Sequence, residues 1–181
     1  MTRYIALIRG INVGGNNAVS MSKLKDLCEE SGFTAVSTYI NSGNVLFSSE
    51  LADVPKLVGI FERMLAEQFG VTTVVAVIPA TELHDAVRHA PEWWGVDEGS
   101  KHNVLFVIAP AKTHDIIHQV GEAKPEYEQI AFYGSVIFWS APIKTFSRTR
   151  WSKIVGTKSY DSVTIRNANT VRKLYDMTVN D

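Results

Sequence analysis

Val36-Ser37-Thr38-Tyr39-Ile40-Asn41-Ser42-Gly43-Asn44-Val45-Leu46-Phe47 carries a strong hairpin signal, from which the order of the surrounding elements can be read. Two β-branched and aromatic runs, 36–40 and 45–47, flank four small polar residues, which is the pattern of a β-hairpin. Upstream, Tyr4-Ile5-Ala6-Leu7-Ile8 is an apolar run as long as a buried strand, and a Gly- and Asn-rich loop follows it from Arg9 to Asn17. A helix is expected from Ser20 to about Ser31, with Met21, Leu24, Leu27 and Cys28 on one face. Ser20 is its expected cap, and Val19 with Leu24 has the spacing of a hydrophobic staple. Downstream, Val54, Leu57, Val58, Phe61, Leu65 and Phe69 recur at three- and four-residue intervals and predict a second helix, stopped by Gly70. Thr72 to Ile78 reads as a fourth strand closed by Pro79. The order β-α-β-β-α-β is ferredoxin-like.

The second half repeats that order in part. After a helix near Thr81 to Ala90, Val104 to Ile108 reads as a strand and Thr113 to Val120 as a helix. Ile130 to Tyr133 and Val136 to Trp139 form a second hairpin around Gly134-Ser135, followed by helical segments near 149–155 and 169–177. The expected class is α+β: a ferredoxin-like lobe over 1–79, a second lobe over 80–143, and a basic helical segment over 144–181 that packs across both. No residue-level repeat relates the halves, so duplication rests on element order alone.

Composition narrows the setting. The 181 residues are 45% hydrophobic and 20% charged, which excludes global disorder. No stretch approaches the roughly 20 apolar residues that span a bilayer, and the N-terminus lacks the apolar core of a signal peptide. A single cysteine, Cys28, excludes an internal disulfide framework, so a cytoplasmic location with no membrane partner is expected.

The formal net charge of -1 averages two unlike parts. Residues 1–143 hold 10 Lys/Arg against 16 Asp/Glu, whereas 144–173 hold eight basic residues against Asp161 alone. A basic segment on an acidic body suits an anionic partner, or a tail that clasps the protein's own acidic surface through Arg166 and Lys173.

Connectivity brings the polar loops together. In a ferredoxin-like unit the loop after the first strand and the hairpin between the second and third lie at one end of the sheet, on neighbouring strands. Gly14 and Gly15 let backbone N–H groups converge on an anion. Arg9 supplies charge, and Asn12, Asn41, Ser42 and Asn44 supply directional donors. The same Gly and Asn residues also suit tight turns that hold no ligand. Gly10 and Gly15 have P-loop spacing, but Asn16-Asn17 follow where Lys and Ser/Thr are required, so nucleotide-triphosphatase chemistry is excluded.

The motifs Ala6-Leu7-Ile8-Arg9-Gly10-Ile11-Asn12-Val13-Gly14-Gly15 and Thr38-Tyr39-Ile40-Asn41-Ser42-Gly43-Asn44-Val45, with Met21 between them, resemble the signature of a mostly bacterial family called domain of unknown function 1697. Thr164-Ile165-Arg166-Asn167-Ala168-Asn169-Thr170-Val171-Arg172-Lys173-Leu174 extends the likeness to the C-terminus. The resemblance implies two packed α+β lobes and cytoplasmic character, with no established reaction. Asn16 stands where relatives often carry a basic residue, and Ala168 where they commonly carry Trp.

Other constellations are weaker. His114 and His118 stand one helical turn apart, but no third ligand accompanies them, and an exposed helix face accounts for both. Cys28 sits on an apolar face as a small buried side chain. Of Trp93 and Trp94, only one can face inward if the segment is extended. Trp151, among Arg148, Arg150 and Lys153, is of the type that stacks on bases. The expected ligand site comprises Arg9, Asn12, Gly14, Gly15, Asn41, Ser42 and Asn44, closed by Arg166, Asn167, Asn169 and Thr170. Binding of a phosphorylated small molecule, nucleotide or nucleic acid is the leading expectation. An enzyme acting on an anionic metabolite and a non-catalytic assembly protein are the alternatives, with no cofactor or metal expected.

Overall fold

Alternate residues of the first strand, Tyr4, Ala6 and Ile8, build the core of the N-terminal half together with Val45, Phe47, Val75 and Val77. The computed structural model describes residues 1–179. It divides into two compact units, Met1–Leu83 and His84–Val179.

The first unit contains β1 (Thr2–Ile8), α1 (Met21–Glu30), β2 (Thr34–Tyr39), β3 (Asn44–Ser49), α2 (Val54–Phe69) and β4 (Val75–Pro79). Its sheet order is β2-β3-β1-β4, antiparallel throughout, as ferredoxin-like connectivity requires. Ser20 caps α1 by accepting the Lys23 N–H, and Asp53 caps α2 by accepting the Lys56 N–H. Gly70, at φ 65, ends α2 in the left-handed conformation. The α2 stripe buries Leu57, Phe61 and Leu65 fully. Each such side chain contributes about 1.5–3 kcal/mol. Phe61 and Phe33 pack their rings 5.2 and 4.6 Å from that of Phe47.

The second unit contains β5 (Ser100–Val107), α4 (Thr113–Val120), β6 (Gln129–Tyr133) and β7 (Val136–Pro142), then three short 3-10 helices, β8 (Val163–Asn167) and α5 (Ala168–Val179). A further helix, α3 (Ala80–Arg88), spans the boundary between the units. The second sheet has order β6-β7-β5-β8, the same path as the first. The 3-10 helices, Ile143–Arg148, Trp151–Ile154 and Lys158–Ser162, occupy the chain position that α2 holds in the first unit.

The basic segment therefore contains a strand as well as helical turns, and residues 144–179 group with the second unit. Residues 180 and 181 of the expected 144–181 segment lie outside the described residues. Val163-Thr164-Ile165-Arg166-Asn167 alternates as a strand does, but its five residues run directly into α5, and pairing with β5 is what sets them apart from the helical segments around them. Among the described residues no helix is long and apolar enough to cross a membrane.

Candidate functional site

Leu7 pairs with Asn44 across β1 and β3, so the 9–17 loop and the 41–44 hairpin meet at one sheet end. The Ile8 N–H donates to the Gly43 carbonyl at 2.8 Å. Three of the asparagines there, Asn12, Asn17 and Asn44, bond to the chain itself. Asn12, at φ 55, donates its side-chain amide to the carbonyls of Val19 (2.9 Å) and Asn41 (2.8 Å) and accepts the Val19 N–H at 2.8 Å. Both amide hydrogens and the oxygen of that side chain are thereby committed. Asn44 is fully buried and donates to the Tyr39 carbonyl and the Ser42 hydroxyl. Asn17 donates to the Gly10 carbonyl.

Gly43 is required by packing as well as by its φ of 84, since a Cβ there would lie 2.9 Å from Ile8 and Ile11 side-chain atoms. Gly14 and Gly15, both at positive φ, stand in open space. Asn12, Gly15, Asn16, Ser20, Met21 and Asn41 line an open depression of about 580 Å³. Arg9 is half-buried, and its carbonyl accepts the Thr73 hydroxyl at 2.6 Å. What remains accessible is glycine backbone with Asn16 and the exposed side chain of Asn41, while Asn12 and Asn44 hold the loops in register.

The C-terminal members of the expected site belong to the second unit. Arg166 is buried on β8, where it donates to the Thr164 hydroxyl (3.0 Å) and the Ile165 carbonyl (2.9 Å). Burial pulls its pKa down to about 10, against the opposing effect of Tyr160. Asn167 caps α5 by accepting the Thr170 N–H at 2.8 Å, and Thr170 is buried. Asn167 and Asn169 join Asp97, Ser100, His102 and Arg172 around a polar cleft of about 490 Å³. Arg172 donates to the Gly95 carbonyl at 3.0 Å and lies over the Trp94 ring. Trp94 is buried and Trp93 half-buried, but the pair lies in a turn closed by the Trp94 N–H on the Pro91 carbonyl, not in an extended segment.

His102 is a residue to which sequence reasoning assigns no partner. Its Nε2 lies 2.7 Å from the Asp97 carbonyl and its Nδ1 2.6 Å from the Ser140 hydroxyl. A carbonyl only accepts, so in the neutral ring Nε2 carries the proton and Nδ1 accepts from Ser140. Ser100 and the Gly99 N–H both donate to Asp97 and hold its carboxyl below the usual carboxylate range. His102 and Ser140 are direct cross-strand partners on β5 and β7, and both line a second cavity of about 350 Å³ beside Trp93 and Tyr127.

The basic segment is organised by one acid. Glu128, buried, accepts four N–H groups: those of Lys124 (3.1 Å) and Arg150 (2.7 Å) on one oxygen, and of Trp151 (3.1 Å) and the Trp139 indole (3.1 Å) on the other. Backbone, rather than basic side chains, makes this contact. Trp151 is fully buried with its indole on the Gly121 carbonyl, which removes it as a stacking platform. The Arg and Lys residues around it are polar enough to suggest a surface, but the ring turns inward and they turn out.

Lys144, Arg148, Arg150, Lys153 and Lys158 are all exposed, and none makes an ion pair among the described residues. Lys124 reaches the Arg148 carbonyl at 3.1 Å, Arg148 lies over Tyr127 at 5.7 Å, and Lys101 over Phe146 at 4.1 Å. The five exposed cations fall within residues 144–158, a cationic strip along the chain, with Tyr127 beside Arg148 and the exposed acids Glu122 and Glu126 on the loop before β6. His114 contacts its neighbour Asp115, and among the described residues no three His, Cys, Asp or Glu side chains gather as a metal site would need.

These features define a two-unit α+β protein whose sheets share one ferredoxin-like path. The model of the family described as "Protein of unknown function (DUF1697)" matches residues 1–138, and the chain belongs to that family. A conserved bacterial protein from Streptococcus pneumoniae, SP0830, superposes with a TM-score of 0.86 at 30% identity, over 97% of this chain and 98% of that one. The first two RRM domains of the yeast poly(U)-binding protein Pub1 align over 93% of this chain and 99% of that one at 8% identity and a TM-score of 0.24, too slight a likeness to bear on fold or function. The comparison with curated proteins gave no match.

Proposed function

We propose that this is a cytoplasmic bacterial protein that binds single-stranded nucleic acid along the cationic strip of its second unit. The observation that carries the reading is the row Lys144, Arg148, Arg150, Lys153 and Lys158, exposed and without ion pairs among the described residues. Cations without an internal counter-charge are free to displace the counterions of a phosphate chain, and several in succession match a polymer better than a single phosphate. The half-buried Tyr127 ring, beside Arg148, gives aromatic surface for a base. Glu122 and Glu126 would repel a backbone on their side, which confines it to the 3-10 helices. A cytoplasmic setting accords with the lone, buried Cys28, and a bacterial source with the organism of the similar structure.

Fluorescence anisotropy with a labelled single-stranded RNA at low salt tests the reading. Saturable binding is expected, weakened at least tenfold by the combined Arg148→Ala, Arg150→Ala and Lys153→Ala exchange. Removal of Lys25, Lys56 and Arg63 from the first unit controls for net charge and should leave binding unchanged. A flat titration removes the proposal.

One observation favours the second reading, a small-molecule enzyme: the His102–Ser140 pair beside two cavities. With Nδ1 as base, His102 would take the Ser140 proton as the oxygen attacks an ester or acyl carbon. An alkyl fluorophosphonate reports this directly. Attack by Ser140 Oγ on phosphorus releases fluoride and leaves a phosphonyl ester, formed in the native chain and absent in Ser140→Ala and His102→Gln. If the native chain stays unlabelled, the pair is a structural cross-strand contact.

A further inference from the structure

Three of the four sheet edges are blunted, and one is not. On β2 a register shift falls between Thr34 and Ser37, Ala35 turns to φ 48, and Arg3 donates to the Ala35 carbonyl. On β4, Glu62 accepts the Val75 N–H and the strand ends in Pro79. On β8, Arg166 donates to the Ile165 carbonyl. Bulges, prolines and charged side chains are the devices that keep edge strands from pairing. The fourth edge, β6, is Gln129-Ile130-Ala131-Phe132-Tyr133, with no charge, no proline and an unshifted register against β7. Among the described residues no hydrogen bond beyond the β7 ladder reaches its backbone.

The side chains follow the same logic. Phe132 pairs with Ile137 and Ile130 with Trp139, so both share the sheet face that carries the core of Leu105, Ile137 and Trp139. Ile130 packs against that core, whereas Phe132 extends it to the sheet margin and is 60% exposed. A core layer that runs out to an exposed ring on an unprotected edge is unfinished.

We propose that β6 pairs antiparallel with β6 of a second copy of this chain, joining the two second-unit sheets into one of eight strands about a two-fold axis. An isologous contact must be complementary to itself, and β6 meets that condition about Ala131. Ile130 then faces the partner's Phe132, Gln129 faces the partner's Tyr133, and each exposed ring is covered by the other copy's apolar face. No like charges meet along the strand. The ends are complementary as well. Glu126 precedes β6, while the opposite end is bounded by Gly134, whose carbonyl accepts the hydroxyl of Thr113, the neighbour of exposed Lys112. Antiparallel pairing turns Glu126 of one copy toward Lys112 of the other.

Sedimentation equilibrium over a wide concentration range, without nucleic acid, reads the assembly, and hydrogen exchange reads the strand. The expected result is a mass that doubles with concentration, with protection of the 129–133 amides rising in parallel. Phe132→Lys should return the mass to that of one chain while its thermal unfolding stays cooperative. A single-chain mass at all concentrations overturns the proposal. So does a dimer whose 129–133 amides gain no protection, because it would be built on another surface. An extended peptide that protected β6 while the chain stayed monomeric would equally overturn it.

Discussion

The Glu128 carboxylate accepts the backbone N–H of Trp151 at 3.1 Å, 23 residues along the chain. Through this bond, and its companions to Arg150, Lys124 and the Trp139 indole, the sheet grips the peptide that carries the cationic strip. A buried carboxylate held by four donors is worth keeping only if the donors would otherwise be orphaned.

Glu128→Gln tests that grip. The amide retains one acceptor oxygen and turns an NH₂ toward two N–H donors, so about 2–4 kcal/mol of stability should be lost. Urea unfolding should show a lower midpoint with an unchanged slope, and nucleic-acid affinity should fall as the 3-10 helices loosen. An unchanged midpoint would mean that the four donors find other partners.

Asn12 separates side-chain bonding from backbone conformation. Asn12→Ala loses three hydrogen bonds and places an ordinary residue at positive φ, at a cost of about 2–4 kcal/mol. Asn12→Gly loses the same bonds but tolerates the backbone, so it should be the milder by about 1 kcal/mol. Thermal unfolding of the two variants gives the difference.

Two glycines with similar φ should respond unequally. Gly14→Ala meets open space and carries only the conformational cost, about 1–2 kcal/mol. Gly43→Ala drives a methyl to within 2.9 Å of Ile8 and Ile11 atoms and should cost a further 1–3 kcal/mol or so. Equal unfolding midpoints would contradict the packing described for the hairpin.

Burial, aided by Glu29, pushes the Cys28 thiol from 9.0 up to about 12. The neutral form is the one the core accepts. Stability from this group is therefore complete below the unfolded pKa near 9 and is lost as pH rises through about 12. The stability gap between the native chain and Cys28→Ala should be flat to about pH 8.5 and then shrink by about 1.4 kcal/mol per pH unit. An aromatic disulfide reagent should titrate the thiol only after unfolding.

The first sheet was legible because its signals are local: an apolar run at Tyr4–Ile8, a helical stripe from Val54 to Phe69, and Asn-Ser-Gly-Asn between two strand patterns. The adjacency of the 9–17 loop and the hairpin followed from connectivity alone. Whether Asn12 and Asn44 face a ligand or the chain did not, since both uses need the same side chain. β8 alternates as a strand does, but it is only five residues long and leads straight into α5, so its pairing with β5 was what the basic, helix-like surroundings concealed. Glu128 carries no sign of burial among the chain's other acids, and His102 meets Ser140 38 residues away only through strand register. Trp151 misled through its company: basic neighbours on both sides belong to a surface, and the ring between them belongs to the core.

The salt dependence of nucleic-acid affinity reads out how many cations of the strip contact phosphate. Each phosphate contact on a single strand contributes about 0.7 to the slope of log K against log salt. The native chain should show a steep negative slope, and the Arg148→Ala, Arg150→Ala, Lys153→Ala variant one shallower by about 2. Equal slopes for the two proteins would contradict the assignment of the ligand to the cationic strip.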